Sequence, residues 1–310
     1  RHRMKILICD SLNEKVLKEL QAIGDCIDIS SSPTKNEDLD ENIEDAEIVV
    51  IRSGTTLDKA IIEKGKSLKI IARCGVGVDN IDVDYAKSQN IFVTNSPSAN
   101  LISVVELTVA LIISAARKIN LSDKHLKEGK WNRKEFVGIE LYGKQLGIVG
   151  FGKAGKLVSD RMKSFGMSIA FYDPFVNDWN GPEKKLELDE LLNTSDVVSI
   201  HVIKTKETEN LISKEKLDLL KENSILINTS RGGILDENYL IELLKSKKIF
   251  GAGLDVYSEE PPKNIDTFID LNLISTPHIG ASTGEAQLKA GLDTVDNIKK
   301  ILAGDTTVAI

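Results

Sequence analysis

Cysteine is scarce in this chain. Three occur in 310 residues, Cys9, Cys26 and Cys74. They form no C-x-x-C pair, and each sits in or beside an apolar stretch. That pattern excludes a disulfide scaffold and a cysteine-based metal site, and it predicts small buried thiols in a reducing compartment. Positive charge is also short, with 40 Lys and Arg against 47 Asp and Glu and a formal net charge of −7. Neither a nucleic-acid coat nor a polybasic membrane anchor is expected from such a balance. An anionic ligand must then be held by local positive groups. Long hydrophobic runs are missing too. The most apolar stretch, residues 107–116, is too short and too polar to cross a bilayer, and no signal-peptide pattern opens the chain. No membrane or nucleic-acid partner and a cytoplasmic location are therefore expected. Arg1-His2-Arg3 ahead of Met4 reads as a vector remnant and is set aside.

What is present is an ordinary globular composition, 41% apolar and 28% charged. Short β-branched runs alternate with helical periodicities. Residues 5–9, 27–29, 48–51, 70–72 and 91–93 read as strands. Leu12, Val16, Leu17, Leu20 and Ile23 recur at helical spacing, and Gly24 stands where that helix should stop. Asn95-Ser96-Pro97-Ser98 marks a turn. Residues 101–118 are apolar nearly all round, which predicts a buried helix between domains or subunits. A second strand series follows at 146–149, 169–172, 197–200, 225–228, 253–256 and 273–275, and a last helix at 285–302. Continuous apolar strands separated by helices imply parallel sheets covered on both faces. The pattern predicts an α/β chain of two doubly wound domains. Residues 1–98 with 285–310 would form a smaller, flavodoxin-like domain, and residues 99–284 the other. Hinge crossings near 97–100 and 283–286 would let the domains close on a ligand.

Gly150, Gly152 and Gly155 make a G-x-G-x-x-G pattern between an apolar strand and a helical segment. Gly150 allows the tight turn, Gly152 lets the backbone approach a pyrophosphate, and Gly155 lets helix and strand pack closely. The helix N-terminus can then hold a diphosphate. Asp173 ends the next strand, where a carboxylate accepts from adenosine ribose hydroxyls and repels a 2′-phosphate. NAD is the cofactor expected, and 99–284 the Rossmann NAD-binding domain.

Three later strands end in chemistry-bearing residues. One runs into Thr229-Ser230-Arg231-Gly232-Gly233, one leads to Glu259-Glu260-Pro261-Pro262, and one enters Thr276-Pro277-His278-Ile279-Gly280-Ala281. Ligands of open parallel sheets bind outside the carboxyl ends of strands, so Arg231, Glu260 and His278 can share one crevice. The set suits oxidation of a 2-hydroxy acid. Imidazole takes the hydroxyl proton near neutral pH, a carboxylate orients the ring, and a guanidinium fork holds the substrate carboxylate. Glu259 competes with Glu260, and His201 is the rival imidazole, with a structural or cofactor-adjacent reading favoured for it. His125 reads as a solvated helix residue. No metal is expected.

These residues resemble the D-isomer-specific 2-hydroxyacid dehydrogenase family, and the resemblance covers nearly the whole chain. It is carried in order by Arg52-Ser-Gly-Thr55, Arg73-Cys-Gly-Val-Gly-Val-Asp-Asn80, Lys130–Phe136, Gly150–Gly155, Tyr172-Asp-Pro174, Asn228–Gly233, Leu254–Pro262 and Pro277–Thr283. It implies NAD-dependent interconversion of 3-phospho-D-glycerate and 3-phosphohydroxypyruvate, the first step of phosphorylated L-serine biosynthesis. Arg231, Glu260 and His278 would be catalytic. Lys153 and Ala154 would contact the diphosphate and Asp173 the ribose. Val202, Ser230, Asp255, Gly280 and Ala281 would lie around the nicotinamide side. Gly75, Val76 and Gly77 would receive the substrate carboxylate, and Arg52 and Ser53 its phosphate, with Arg133 reaching a neighbouring subunit's phosphate site. A homodimer through the cofactor domains is expected, with a tetramer as the alternative.

The sequence departs from the family at several points. Thr56 stands where many relatives carry lysine, Val76 and Val202 replace threonines, and Ile203 replaces a proline. The sequence stops at Ile310, so no serine feedback through the C-terminal regulatory domain of longer members is expected. The alternatives are another D-2-hydroxyacid dehydrogenase of the glyoxylate, hydroxypyruvate or lactate type, and a non-catalytic NAD-sensing regulator on the same fold.

Overall fold

The computed structural model describes residues 2–310. Its strands form two sheets, and every pairing between them is parallel. The first sheet holds β1 (Met4–Ile8), β2 (Gly24–Asp28), β3 (Ile48–Ile51), β4 (Ile70–Arg73) and β5 (Phe92–Thr94) in the order β2-β1-β3-β4-β5. That is the flavodoxin-like order. The second holds β6 (Gln145–Val149), β7 (Ser168–Tyr172), β8 (Lys184–Lys185), β9 (Val197–Ile200), β10 (Ile225–Asn228), β11 (Gly251–Leu254) and β12 (Leu273–Ser275). Their order is β12-β11-β10-β9-β6-β7-β8. From β6 the chain winds first one way and then the other, so β6 and β9 flank the switch point of a Rossmann sheet.

The chain divides into two compact units. One runs up to Leu101 and includes Ala281–Ile310, and the other is Ile102–Gly280. Both sheets are apolar on both faces because helices cover both. Along β1, Ile6 and Ile8 join one core and Leu7 the other; along β6, Leu146 and Ile148 join one and Val149 the other. Most positions of the central strands therefore carry apolar side chains, which is why these strands read as short apolar runs, while the edge strands β2 and β8 carry exposed polar residues.

Three expectations shift. The second strand is Gly24–Asp28 rather than 27–29, because Gly24 caps the helix Glu14–Ile23 and begins the strand at the same residue. A side chain there would meet Met4 O at 2.2 Å, so glycine is the residue that fits. The strand expected at 253–256 is Gly251–Leu254. Its glycines serve close packing: a Cβ on Gly253 would lie 2.9 Å from Ile227 Cδ1 and 3.0 Å from Leu111 Cβ. Within the single chain, the helix Leu101–Arg117 is buried along one face. Val105, Thr108, Leu111, Ile112, Ala115 and Ala116 are buried, while Ile102 is 49% exposed.

Candidate active site

The fingerprint turn joins β6 to the helix Lys153–Lys163. Gly150 has φ +97°, a left-handed value that a side chain resists, and a Cβ on it would sit 2.6 Å from His201 O. A Cβ on Gly155 would sit 2.3 Å from Gly150 O, so helix and turn touch through backbone. Gly152 differs, since nothing lies within 4 Å of its Cβ position. It caps the helix with no side-chain hydrogen bond. The Lys153 and Ala154 amides thus begin a helix with open space before it, the arrangement a diphosphate requires. Asp173 follows β7 directly and accepts from Phe151 N at 2.8 Å through Oδ2 and from Phe175 N at 2.9 Å through Oδ1. It braces the fingerprint turn, and each oxygen keeps a further lone pair for ribose. These residues fit a dinucleotide.

Arg231, Glu260 and His278 follow β10, β11 and β12, which are adjacent and parallel, so all three leave the same edge of the sheet. His278 Nδ1 lies 2.6 Å from Glu260 Oε2. The carboxylate also accepts from Tyr257 N at 3.1 Å through Oε1. Glu259 instead pairs with Lys263 at 2.8 Å in the open, which separates the two competing carboxylates. The ring of His278 is 49% exposed, a reachable position for a proton acceptor. Its backbone is left-handed at φ +51°, an uncommon state for a residue with a side chain.

Asp255, 1% exposed, holds that backbone in place. Its Oδ1 accepts from Thr276 Oγ1 at 2.6 Å and from Ile279 N at 2.7 Å, and its Oδ2 from Gly280 N at 2.9 Å. Tyr257 adds a brace, with its buried hydroxyl 2.8 Å from Thr276 O and 3.0 Å from Leu254 O. Burial pushes that phenol well above its usual range.

The Arg231 turn is built by Asn228, 1% exposed at the end of β10. Its Nδ2 donates to Arg231 O at 3.0 Å, and its Oδ1 accepts from Ser230 N at 3.0 Å and Ser230 Oγ at 2.8 Å. Arg231 Nη1 donates to Ser230 O at 2.8 Å. A Cβ on Gly232 would lie 1.7 Å from Tyr257 O, so this turn and the one leading to Glu260 are in backbone contact. Gly232→Ala is expected to lower stability by about 1–3 kcal/mol, read as a drop in the chemical denaturation midpoint; an unchanged midpoint would contradict the packing.

The rival His201 has a different environment. Its Nε2 lies 2.7 Å from Ser199 Oγ, and burial pushes the imidazole down to about 4. It is held neutral, and its carbonyl supports the Gly150 turn. Val202 packs on the same turn, with Cγ1 2.9 Å from the Gly150 Cβ position. His125 is not simply solvated, because it accepts from Asn132 N at 3.0 Å and meets Phe136 edge-on at 4.9 Å. Arg133 opens the adjoining 3-10 turn, Arg133–Phe136, and is exposed.

In the smaller unit, Arg52 and Ser53 follow β3. A buried carboxylate that spacing did not reveal, Asp10, lies beneath them. It accepts from Arg52 N at 2.6 Å, Thr55 Oγ1 at 2.9 Å and Lys35 Nζ at 2.5 Å. Gly75, Val76 and Gly77 follow β4. Arg73 donates to Cys74 O at 2.8 Å and Gly77 O at 2.7 Å, Ser96 N to Gly75 O at 2.8 Å, and Asn95 Nδ2 to Val76 O at 2.8 Å. Arg52 and Gly75 line a cavity of about 220 Å³ with Ser11, Asn13, Asn100 and Gln287. Ala281 begins the chain's return to this unit. Among the described residues, no group of three or more His, Cys, Asp or Glu could hold a metal, and no helix is long and apolar enough to cross a membrane.

Residues 109–280 match the family model for the D-isomer specific 2-hydroxyacid dehydrogenase, NAD binding domain. The chain is 46% identical over 306 residues to the D-3-phosphoglycerate dehydrogenase of Methanocaldococcus jannaschii, covering 97% of this chain and 58% of that protein. It is 41% identical over 303 residues to the hydroxypyruvate reductase of Thermotoga maritima, covering 97% of this chain and 99% of that one. The crystal structure of D-lactate dehydrogenase from Aquifex aeolicus, complexed with NAD and lactic acid, aligns with a TM-score of 0.83 at 27% identity over 98% of this chain and 97% of that one. This chain thus spans little more than half the length of the first relative and nearly all of the other two. By profile, by relatives and by fold, the chain belongs to the D-isomer specific 2-hydroxyacid dehydrogenase family and carries that family's NAD-binding domain.

Proposed function

We propose that the chain oxidises 3-phospho-D-glycerate to 3-phosphohydroxypyruvate with NAD, and runs the reverse, as the first step of phosphorylated L-serine biosynthesis. The observation that carries the reading is the 2.6 Å contact of His278 with Glu260 beside the Arg231 turn, at the sheet edge shared with the fingerprint. With Nδ1 held by the carboxylate, Nε2 is the atom that takes the substrate hydroxyl proton, and Glu260 stabilises the imidazolium that results. Arg231 holds the substrate carboxylate and carbinol oxygen. Bound NAD supplies the hydride acceptor. Gly152, Lys153, Ala154 and Asp173 would hold its adenosine diphosphate half, and Val202, Ser230, Asp255, Gly280 and Ala281 would border the nicotinamide side.

In the smaller unit the carbonyls of residues 74–77 are taken by internal donors. The Val76 and Gly77 N–H groups are then the backbone donors offered to a substrate carboxylate. Arg52 and Ser53, held from below by Asp10, would receive the phosphate, with Arg133 contributing from a second copy. A homodimer built through the larger unit belongs to the same reading, with a tetramer as the alternative. It is supported by apolar side chains open to solvent on one stretch of chain, among them Leu126, Trp131 at 78% and Tyr142 at 78%.

A second reading, reduction of unphosphorylated hydroxypyruvate, is favoured by the Thermotoga relative, which this chain matches over almost its whole length. Thr56, neutral in the Arg52 loop, points the same way. Assaying NADH oxidation across phosphorylated and unphosphorylated 2-oxo acids separates the two. The proposal expects kcat/KM for 3-phosphohydroxypyruvate to exceed that for hydroxypyruvate by at least about tenfold, the worth of one charge-assisted contact. A preference for the unphosphorylated acid would move the chain to the second reading. NADH binding with no turnover on any 2-oxo acid would make it a sensor.

A further inference from the structure

Glu237 is a charged neighbour of this centre to which the proposed reaction gives no task. It is the first residue of the helix Glu237–Lys245, which follows the Arg231–Gly233 turn. Its Oε2 accepts from Ser258 N at 2.6 Å and from the Ser258 hydroxyl. Ser258 stands two residues before Glu260. The helix that Glu237 opens continues the Arg231–Gly233 turn through the buried Ile234 and Leu235. One carboxylate on that continuation therefore holds the turn carrying Glu260, where Gly232 already lies against Tyr257 O and Ser258 N.

Helix capping does not account for this arrangement. Asp236 performs that task, accepting from Tyr239 N at 3.0 Å. Burial raises the Glu237 carboxyl, its bonds to Ser258 draw it back toward the charged form, and the negative Glu260 raises it further. The other charged groups near it are Asp236 on its own cap, and Glu259 and Lys263 on the loop after β11. Lys204 and Glu209 line the same groove, and the Tyr257 phenol feels its field.

We propose that Glu237 is a positioning residue of the catalytic centre, clamping the Arg231 and Glu260 turns together and adding negative potential at the His278–Glu260 pair. This rests on the catalytic reading of that pair given above. Removing the charge makes the imidazolium less favourable. In the oxidation direction neutral imidazole is the active form, and the acid limb of the rate profile moves to lower pH.

The test is a set of pH–rate profiles for Glu237→Gln, Glu237→Ala and Glu237→Asp beside His278→Ala, with NADH Kd and Tm measured on each. Glu237→Gln keeps an acceptor for Ser258 and loses the charge; its acid limb is expected about half a pH unit lower, with kcat within about threefold. Glu237→Ala loses both, and kcat is expected to fall about tenfold with NADH Kd within about twofold. Glu237→Asp should recover part of that loss. Wild-type kcat and limb position in both the Gln and Ala variants, whatever happens to Tm, would overturn the proposal and leave Glu237 a structural residue. If the Ala variant does not fold, the Gln profile decides. Wild-type turnover in His278→Ala would instead overturn the catalytic reading, and this proposal with it.

Discussion

Replacing His278 with alanine is expected to lower kcat by about 10²–10⁴-fold, the usual worth of a positioned general base. The Kd for NADH should stay within about twofold. The two effects separate because the imidazole and the dinucleotide fingerprint are held by different parts of the unit. The ring is fixed by Glu260 at 2.6 Å and by a turn pinned to Asp255. The fingerprint turn is fixed by Asp173 and by glycine contacts with the chain at His201. Alanine at 278 leaves every one of those backbone bonds in place. A parallel His201→Ala variant should keep most of its turnover, since that imidazole is held neutral against Ser199. Loss of turnover in His201→Ala with its retention in His278→Ala would reverse the assignment of the base. Steady-state kinetics and NADH fluorescence titration on the same preparations give both numbers.

Arg231→Lys is expected to reduce kcat/KM for the 2-oxo acid by about 10–150-fold, the equivalent of losing one charge-assisted hydrogen bond of about 1.5–3 kcal/mol. In Arg231 one guanidinium nitrogen braces the turn by donating to Ser230 O at 2.8 Å. The planar fork fixes the direction of the charge it carries. A lysine ammonium is a point charge on a flexible stem, so it binds the substrate or the turn but not both in register. The loss should fall on kcat and on KM for the oxo acid, with the KM for NADH little changed. Wild-type kinetics in this variant would remove Arg231 from the substrate contact.

How much of this was legible in sequence depended on whether the physical constraint was local. β6, β9 and β10 stood out because a strand buried on both faces needs an uninterrupted apolar run, and Gly150, Gly152 and Gly155 because a tight turn, a close approach and a backbone contact fall at set spacings. β8 did not, being Lys184–Lys185 at the sheet edge, where no apolar pattern is required. β11 came out two residues late because Gly-Ala-Gly-Leu hides its strand: small residues let the sheet meet the helix Leu101–Arg117. Arg231, Glu260 and His278 were visible as unusual residues just past strand ends. The groups that hold their turns, Asn228, Asp255 and Glu237, carry no such mark in the sequence. Their partners are backbone amides and hydroxyls of loops, some more than twenty residues away, and only the folded sheet edge brings them together. Asp10 beneath the Arg52 loop is the same case, 42 residues distant in sequence from the amide it accepts.

The central claim is that imidazole and carboxylate handle the substrate proton as one unit. Single-turnover NADH consumption in His278→Ala, Glu260→Gln and the double variant tests it most directly. The account predicts that the double variant is about as slow as His278→Ala alone, since Glu260 acts through the ring it holds. Losses that simply multiply would mean that the two residues serve the reaction independently, and would contradict the account.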